Sequence, residues 1–226
     1  MKKSILVATL LSTLSLTAVA ANNYQAGDML VRGGITNVNP DSDKSAVLLS
    51  GADSTMSISV DDNSQLGLNF VYFIDQNWAV EILAATPFKH DVTIHDPNAV
   101  LGVDGAQLAE VTQLPPTVSA LYYFDTRSAF KPYIGAGLNY TIFFDEEFET
   151  APKSLGFSNL ELDGSFGYSV QLGADYLLND KWHINASARY IEISTDATFD
   201  VAGDNIGKAK VDVDPIVLSL MVGYKF

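Results

Sequence analysis

Eight stretches of this sequence alternate large apolar residues with small or polar ones, and after residue 20 none runs apolar for the roughly 18 residues that a membrane helix needs. In "QLGLNFVYFID", Leu66, Leu68, Phe70, Tyr72 and Ile74 share a face against Gln65, Gly67 and Asn69. The same period sets Met29, Val31 and Ile35 against Arg32, Val80 and Ile82 against Glu81 and Leu83, and Val118, Ala120, Tyr122 and Phe124 against Thr117 and Ser119. It continues with Ile134 to Phe144 against Tyr133, Gly135, Gly137, Asn139 and Thr141, then with Phe166 to Tyr176 against Gly167, Gln171, Gly173 and Asp175. Trp182 to Tyr190 oppose His183, Asn185 and Arg189, and "SLMVGYKF" ends the chain on a bare aromatic, Phe226. A period of two over such lengths specifies strands.

The connections alternate as well. Short polar turns fall at 75–77, 125–129 and 179–181, whereas segments 37–63, 86–113, 145–163 and 194–209 are long and rich in Asp, Gly, Asn and Ser. Strands that cross hydrocarbon must satisfy their backbone hydrogen bonds in one another, so the sheet closes and the last strand pairs with the first. The expectation is an all-β fold: an eight-stranded antiparallel up-and-down transmembrane β-barrel, with short periplasmic turns and long extracellular loops. Its large apolar face meets lipid. Tyr72, Trp78, Trp182, Tyr224 and Phe226, with Tyr122, Phe124 and Tyr176, gather near the short-turn ends as an interfacial girdle. A soluble sandwich or lipocalin-like barrel would turn this alternation inside out and leave the terminal aromatic without a role.

The first 20 residues read as a cleaved secretory signal: Lys2 and Lys3, an apolar run from Ile5 to Val19, and Ala18-Val19-Ala20. Residues 21–226 then form the barrel. Without the signal, 11 Lys and Arg remain against 27 Asp and Glu, a net charge of −16, which excludes nucleic acid as a natural partner. The absence of cysteine excludes disulfides and thiol chemistry.

The stretches "QLGLNFVYF", "EILAATPFKH", "QLPPTVSALYYF", "KPYIGAGLNYTIFFD", "GADYLLNDKW" and "GYKF" closely resemble the outer membrane protein W (OmpW) family of Gram-negative bacteria, over essentially the whole mature chain. The resemblance implies a monomeric outer-membrane barrel with a narrow, largely hydrophobic lumen that passes small hydrophobic molecules. It also implies that the Phe226 strand is read by the barrel assembly machinery, and that apolar solutes leave sideways through the wall. One departure stands out: family members often carry histidine before the Leu-Pro-Pro where this chain has Gln113.

An eight-stranded interior is about wide enough to be filled by side chains or to hold one small ligand. Parity turns Arg32, Glu81, Leu83, Tyr133, Asn139, Gln171, Asp175, Asn185 and Arg189 inward. Leu83 is the bulky apolar exception on that face and the candidate constriction, with plain interior packing as the competing role. Glu81 is expected to pair with Arg32 or Arg189, since a confined charge needs a partner. Parity is weakest near Pro87, Pro115, Pro116 and Pro215.

Catalysis is not expected, because the three histidines, His90, His95 and His183, stand in no nucleophile-and-base signature. Nor is a cofactor. "HDVTIHD" and "VDVDP" offer His90, Asp91, His95, Asp96, Asp212 and Asp214 without metal-site spacing, so they read as solvated loop residues. The acidic loops are expected to meet divalent cations that bridge lipopolysaccharide phosphates. A non-transporting structural or adhesive surface protein, binding through its loops, is the alternative.

Overall fold

The computed structural model describes residues 24–41 and 45–226, with the side chains of residues 205 and 206 left aside. The proposed signal at 1–20 lies outside the described residues. Fifteen strands and one short helix follow one another among those described: β1 (Met29–Asn39), β2 (Ser45–Leu49), β3 (Ala52–Val60), β4 (Asn63–Phe73), β5 (Trp78–Ala85), β6 (Phe88–His95), β7 (Gln107–Leu114), β8 (Thr117–Tyr123), β9 (Phe130–Phe148), α1 (Thr150–Ser154), β10 (Phe157–Leu162), β11 (Ser165–Leu177), β12 (Trp182–Ile191), β13 (Ser194–Val201), β14 (Asp204–Asp212) and β15 (Ile216–Lys225). Most are halves of longer strands: β3 runs on into β4, β5 into β6, β7 into β8, β10 into β11, β12 into β13 and β14 into β15, while β9 is unbroken and β2 stands above β1 in the order of the wall. The result is a closed eight-stranded antiparallel barrel.

Its lower ring is joined by ladders all the way round, through β1, β4, β5, β8, β9, β11, β12 and β15. The closing ladder sets Leu30 opposite Lys225 and Val31 opposite Tyr224, and Phe226 N–H donates to the Met29 carbonyl at 2.9 Å. The terminal aromatic strand therefore seals the sheet, as expected. Here the faces follow the sequence: Ile35, Phe166, Leu172 and Leu220 are more than 60% exposed on the outside, while Arg32, Glu81 and Asp175 are fully buried within.

The upper half corrects the expectation of long loops. Segments 37–63, 86–113, 145–163 and 194–209 mostly continue the barrel as strands, in a second ring that runs from upper β9 through β7, β6, β3, β2, β14 and β13 to β10. Between β9 and β10 no ladder is formed among the described residues; α1 and an edge-to-face contact of Phe148 on Phe157, with centroids 5.5 Å apart, close that seam. Parity flips at some of the strand breaks. Ala79, Glu81 and Leu83 point inward on β5, but after Pro87 the inward set on β6 is Phe88, His90, Val92 and Ile94. On β9 a left-handed Asp145 (φ 53°) shifts the phase, so Phe148 faces in where simple parity would send it out. Asp is among the residues that tolerate this conformation best. The phase is kept across Pro115-Pro116 and Pro215, where Gln113, Pro115 and Thr117, then Val213, Pro215 and Val217, all stay buried.

Candidate functional site

The lumen has two storeys of opposite chemistry. In the lower one, β1, β5, β11 and β12 bring Arg32, Glu81, Asp175 and Arg189 together, two guanidiniums against two carboxylates. Glu81 accepts from Arg32 Nη1 at 3.4 Å, Asn69 Nδ2 at 3.0 Å, Gln171 Nε2 at 2.9 Å and Arg189 Nη2. Asp175 Oδ2 accepts from Arg32 Nη2 and the Tyr24 hydroxyl, both at 2.8 Å, and Oδ1 from Asn185 Nδ2 at 2.7 Å. Arg32 also donates through Nε to His183 Nε2 at 3.1 Å and through Nη2 to the Tyr123 hydroxyl at 2.6 Å. Buried charges are tolerable only when paired and hydrogen-bonded in this way. Below them Tyr24 stacks on Phe73 at 4.3 Å and Tyr123 packs on Tyr133 at 4.8 Å, making an aromatic stopper at the short-turn end.

Glycines make the room. A Cβ on Gly223 would lie 2.1 Å from His183 Nε2, and one on Gly173 would lie 2.5 Å from the Tyr133 ring, so the bare inward face at those two positions is what lets the plug fit.

Above the plug the inward residues are apolar. Val47, Met56, Val111, Phe148, Phe199 and Val211 help line a cavity of about 70 Å³, in which Phe199 stacks on Phe157 at 5.6 Å. The outward face at this level is polar, with Lys89 paired to Glu110 at 2.7 Å and Lys210 to Asp212 at 3.7 Å. This is the inside-out alternation of a soluble barrel, standing on top of a membrane one.

Leu83 sits at the junction, buried beside Thr36, Val38, Ala85, Phe88, Pro115, Ile191 and Val217 around a small side pocket of about 10 Å³. At this level the wall is interrupted. The β5–β8 ladder ends at Leu83 opposite Thr117 and the β6–β7 ladder begins at Phe88 opposite Gln113, so 84–87 and 114–116 do not pair with each other. Thr86 N–H donates instead to Leu66 O at 3.0 Å.

The other sequence candidates are redistributed. His90 is not a solvated loop residue: it is buried in the cavity wall, and that burial holds its imidazole below the usual value. His95 is half-buried and meets Ser59 Oγ at 2.8 Å. Asp96 is buried too, and it organises the 96–106 tip by accepting from the N–H groups of Val100, Leu101 and Gly102, each at 2.8 Å. Burial opposes its ionised form, but these backbone donors outweigh it and hold the carboxyl below the ordinary range. Asp212 and Asp214 accept from Ser194 Oγ and Ile193 N–H, at 2.7 and 3.0 Å. No group of three or more His, Asp or Glu among the described residues is placed to hold a metal.

Parity turned Asp175 and His183 inward but did not single out Asp175 as the shorter-range partner of Arg32. The signal was charge balance, since two arginines and one glutamate inside require a second carboxylate. Tyr24 and Tyr123 carried no such signal. Of the aromatics expected in the girdle, Tyr72, Trp78, Phe124, Tyr176, Trp182 and Phe226 are exposed, and the half-buried Tyr224 lies edge-on to both Trp182 and Phe226 at 4.9 Å.

A closed barrel with an apolar outer band, interfacial aromatics and a polar inner face defines a bacterial outer-membrane protein. The chain belongs to the OmpW family, whose match spans residues 25–226. It is 41% identical to Outer membrane protein W of Vibrio cholerae serotype O1 over 227 residues, all of both chains. The crystal structure of the outer membrane protein OprG from Pseudomonas aeruginosa superposes with a TM-score of 0.83 at 41% identity, covering 90% of this chain and 98% of that one. A more distant relative, the dibenzothiophene metabolism operon protein PahQ of Pseudomonas aeruginosa, is 27% identical over 86% of this chain and 87% of its own. The family is one of outer-membrane barrel proteins rather than of enzymes.

Proposed function

We propose that this barrel is a passive, non-enzymatic conduit for small hydrophobic molecules, which it takes from the outside into its upper cavity and releases sideways into the membrane. The observation that carries this reading is the stacking of an apolar cup on a charged, hydrogen-bonded floor. An apolar solute gains about 25 cal/mol for each Å² of its surface that leaves water for the cup. Continuing downward would mean displacing charges that are already paired, which is strongly unfavourable. The unpaired wall beside Leu83 and Pro115 offers the lower barrier, at the level where lipid begins outside. The operon name of the PahQ relative, which refers to an apolar aromatic heterocycle, is in keeping with such a cargo.

Monomeric action is part of the proposal, as is recognition of the Phe226 strand by the assembly machinery. Contact with lipid and lipopolysaccharide, through cations at the acidic rim, completes it. The test is the initial uptake rate of a small apolar probe by cells with intact outer membranes, with and without the protein, beside a sugar of similar size. Faster probe uptake with unchanged sugar uptake is expected. No difference for either would favour the adhesive, non-transporting role. A disulfide staple across the wall, Ala85→Cys with Pro115→Cys, should stop uptake when oxidised while leaving probe binding in the cup intact. Uptake unaffected by a staple shown to have formed would remove the lateral exit.

A further inference from the structure

The wall of the cup contains a buried hydrogen-bond acceptor that no group of the protein satisfies. His90 Nδ1 lies 2.8 Å from the Asp61 carbonyl oxygen, which can only accept, so Nδ1 carries the proton and donates. The neutral ring then has its lone pair on Nε2, 2.9 Å from the Gln113 amide nitrogen, which donates to it. That contact fixes the amide. Gln113 Nε2 faces the histidine, and Oε1 faces away, with no protein partner, in a side chain 3% exposed. Both residues line the cavity. The other polar side chain in the lining, Thr195, is satisfied by donating to the Asp163 carbonyl at 2.6 Å.

We infer that the cup selects apolar molecules that carry one hydrogen-bond donor, a hydroxyl or N–H, and that Gln113 Oε1 receives it. A pure hydrocarbon leaves this acceptor buried and unpaired, whereas an alcohol, a phenol or a nitrogen heterocycle with an N–H satisfies it. An unsatisfied buried acceptor costs enough to shift binding by about tenfold. The effect deepens the conduit reading and rests on it: the apolar walls supply affinity, and Gln113 decides among solutes of equal size.

The full-length protein in lipid nanodiscs serves for the test, with binding of 1-naphthol, 1-methoxynaphthalene and naphthalene measured by equilibrium dialysis and uptake into empty nanodiscs subtracted. 1-Naphthol is expected to bind about tenfold more tightly than the other two. The methoxy compound keeps the oxygen but cannot donate, so it should behave as naphthalene. Gln113→Leu alone would uncover the His90 Nε2 lone pair as a second acceptor, so the test variant combines it with His90→Phe; with both acceptors gone, 1-naphthol should bind no more tightly than naphthalene. Equal binding of all three probes by the unaltered protein would overturn the role of Gln113 and leave the conduit standing, as would an undiminished naphthol preference in the double variant. Failure of every probe to bind would overturn both.

Discussion

Below Leu83 and above it, one chain uses one period to opposite ends. In the lower ring the outward face is Ile, Leu, Phe and Tyr and the interior is ionic; in the upper ring Lys89, Asp91, Glu110 and Lys210 face outward and Val, Ile, Met and Phe face in. The difference follows from the surroundings. Lipid demands apolar residues outside, and an eight-stranded lumen is small enough to be filled with paired polar groups. Once the ring rises clear of hydrocarbon, the ordinary soluble rule returns and the apolar residues converge. On some strands a break of one or a few residues re-phases the alternation at the boundary, as at 61–62, Pro87 and Asp145, while across Pro115-Pro116 and Pro215 the phase runs through and only the residue types change. The two storeys are therefore chemically independent, and substitutions should affect one without the other.

Glu81→Ala should have the largest effect. It leaves two buried guanidiniums with one carboxylate between them and should cost about 3–5 kcal/mol, read as the urea midpoint for folding into vesicles. Single-channel conductance in a planar bilayer should rise as the plug loosens, while naphthol binding in the cup persists. If binding falls in step with conductance, the storeys are coupled and the division drawn here is wrong. Val111→Asp makes the reciprocal cut: a lone carboxylate in the apolar wall should abolish apolar uptake and leave ion conductance at its original value.

Leu83→Ala lies on the boundary, with an expected cost of about 2–3 kcal/mol for a buried leucine. Because the ionic plug beneath is intact, ion conductance should stay unchanged while apolar uptake rises as the side pocket widens. A rise in conductance instead would make Leu83 the ion gate. The smallest effect expected is a pH dependence confined to the upper storey. Burial depresses the folded-state pKa of His90, so the unfolded chain binds the proton more readily. Its contribution to stability is fully present above an unfolded value of about 6.5 and is lost as pH falls from there through the folded value. Probe binding should weaken in mildly acidic buffer, and His90→Gln should flatten that response; an unflattened one would assign it to another group.

The lower storey was legible in the sequence because lipid enforces strict alternation on every strand. From it came the eight strands, the closure through Phe226, the girdle and the pairing of Glu81 with arginine. The upper storey was there to be read in "HDVTIHD", where Val92 and Ile94 alternate with Asp91, Thr93 and His95, and in "KVDVDP", where Val211 and Val213 alternate with Asp212 and Asp214. Acidic and glycine-rich surroundings made both look like loops, and the phase break at Pro87 hid the inward facing of the first. Long-range partnerships were out of reach for another reason: Arg32 and Asp175 lie 143 residues apart, and nothing local to either marks the other.

The polar outer wall of the cup has a consequence for how the protein reaches its place. The upper hairpins belong on the far side of the membrane, yet they carry charges such as Lys89, Glu110, Lys210 and Asp212 on their outward walls, the surface that hydrocarbon would touch. A lysine on the lipid face at the bilayer midplane costs roughly 2–4 kcal/mol, so a cup assembled beforehand would meet a prohibitive barrier on the way across. Threading the upper hairpins while the sheet is still open, with the β1–β15 ladder closing last, would avoid that barrier.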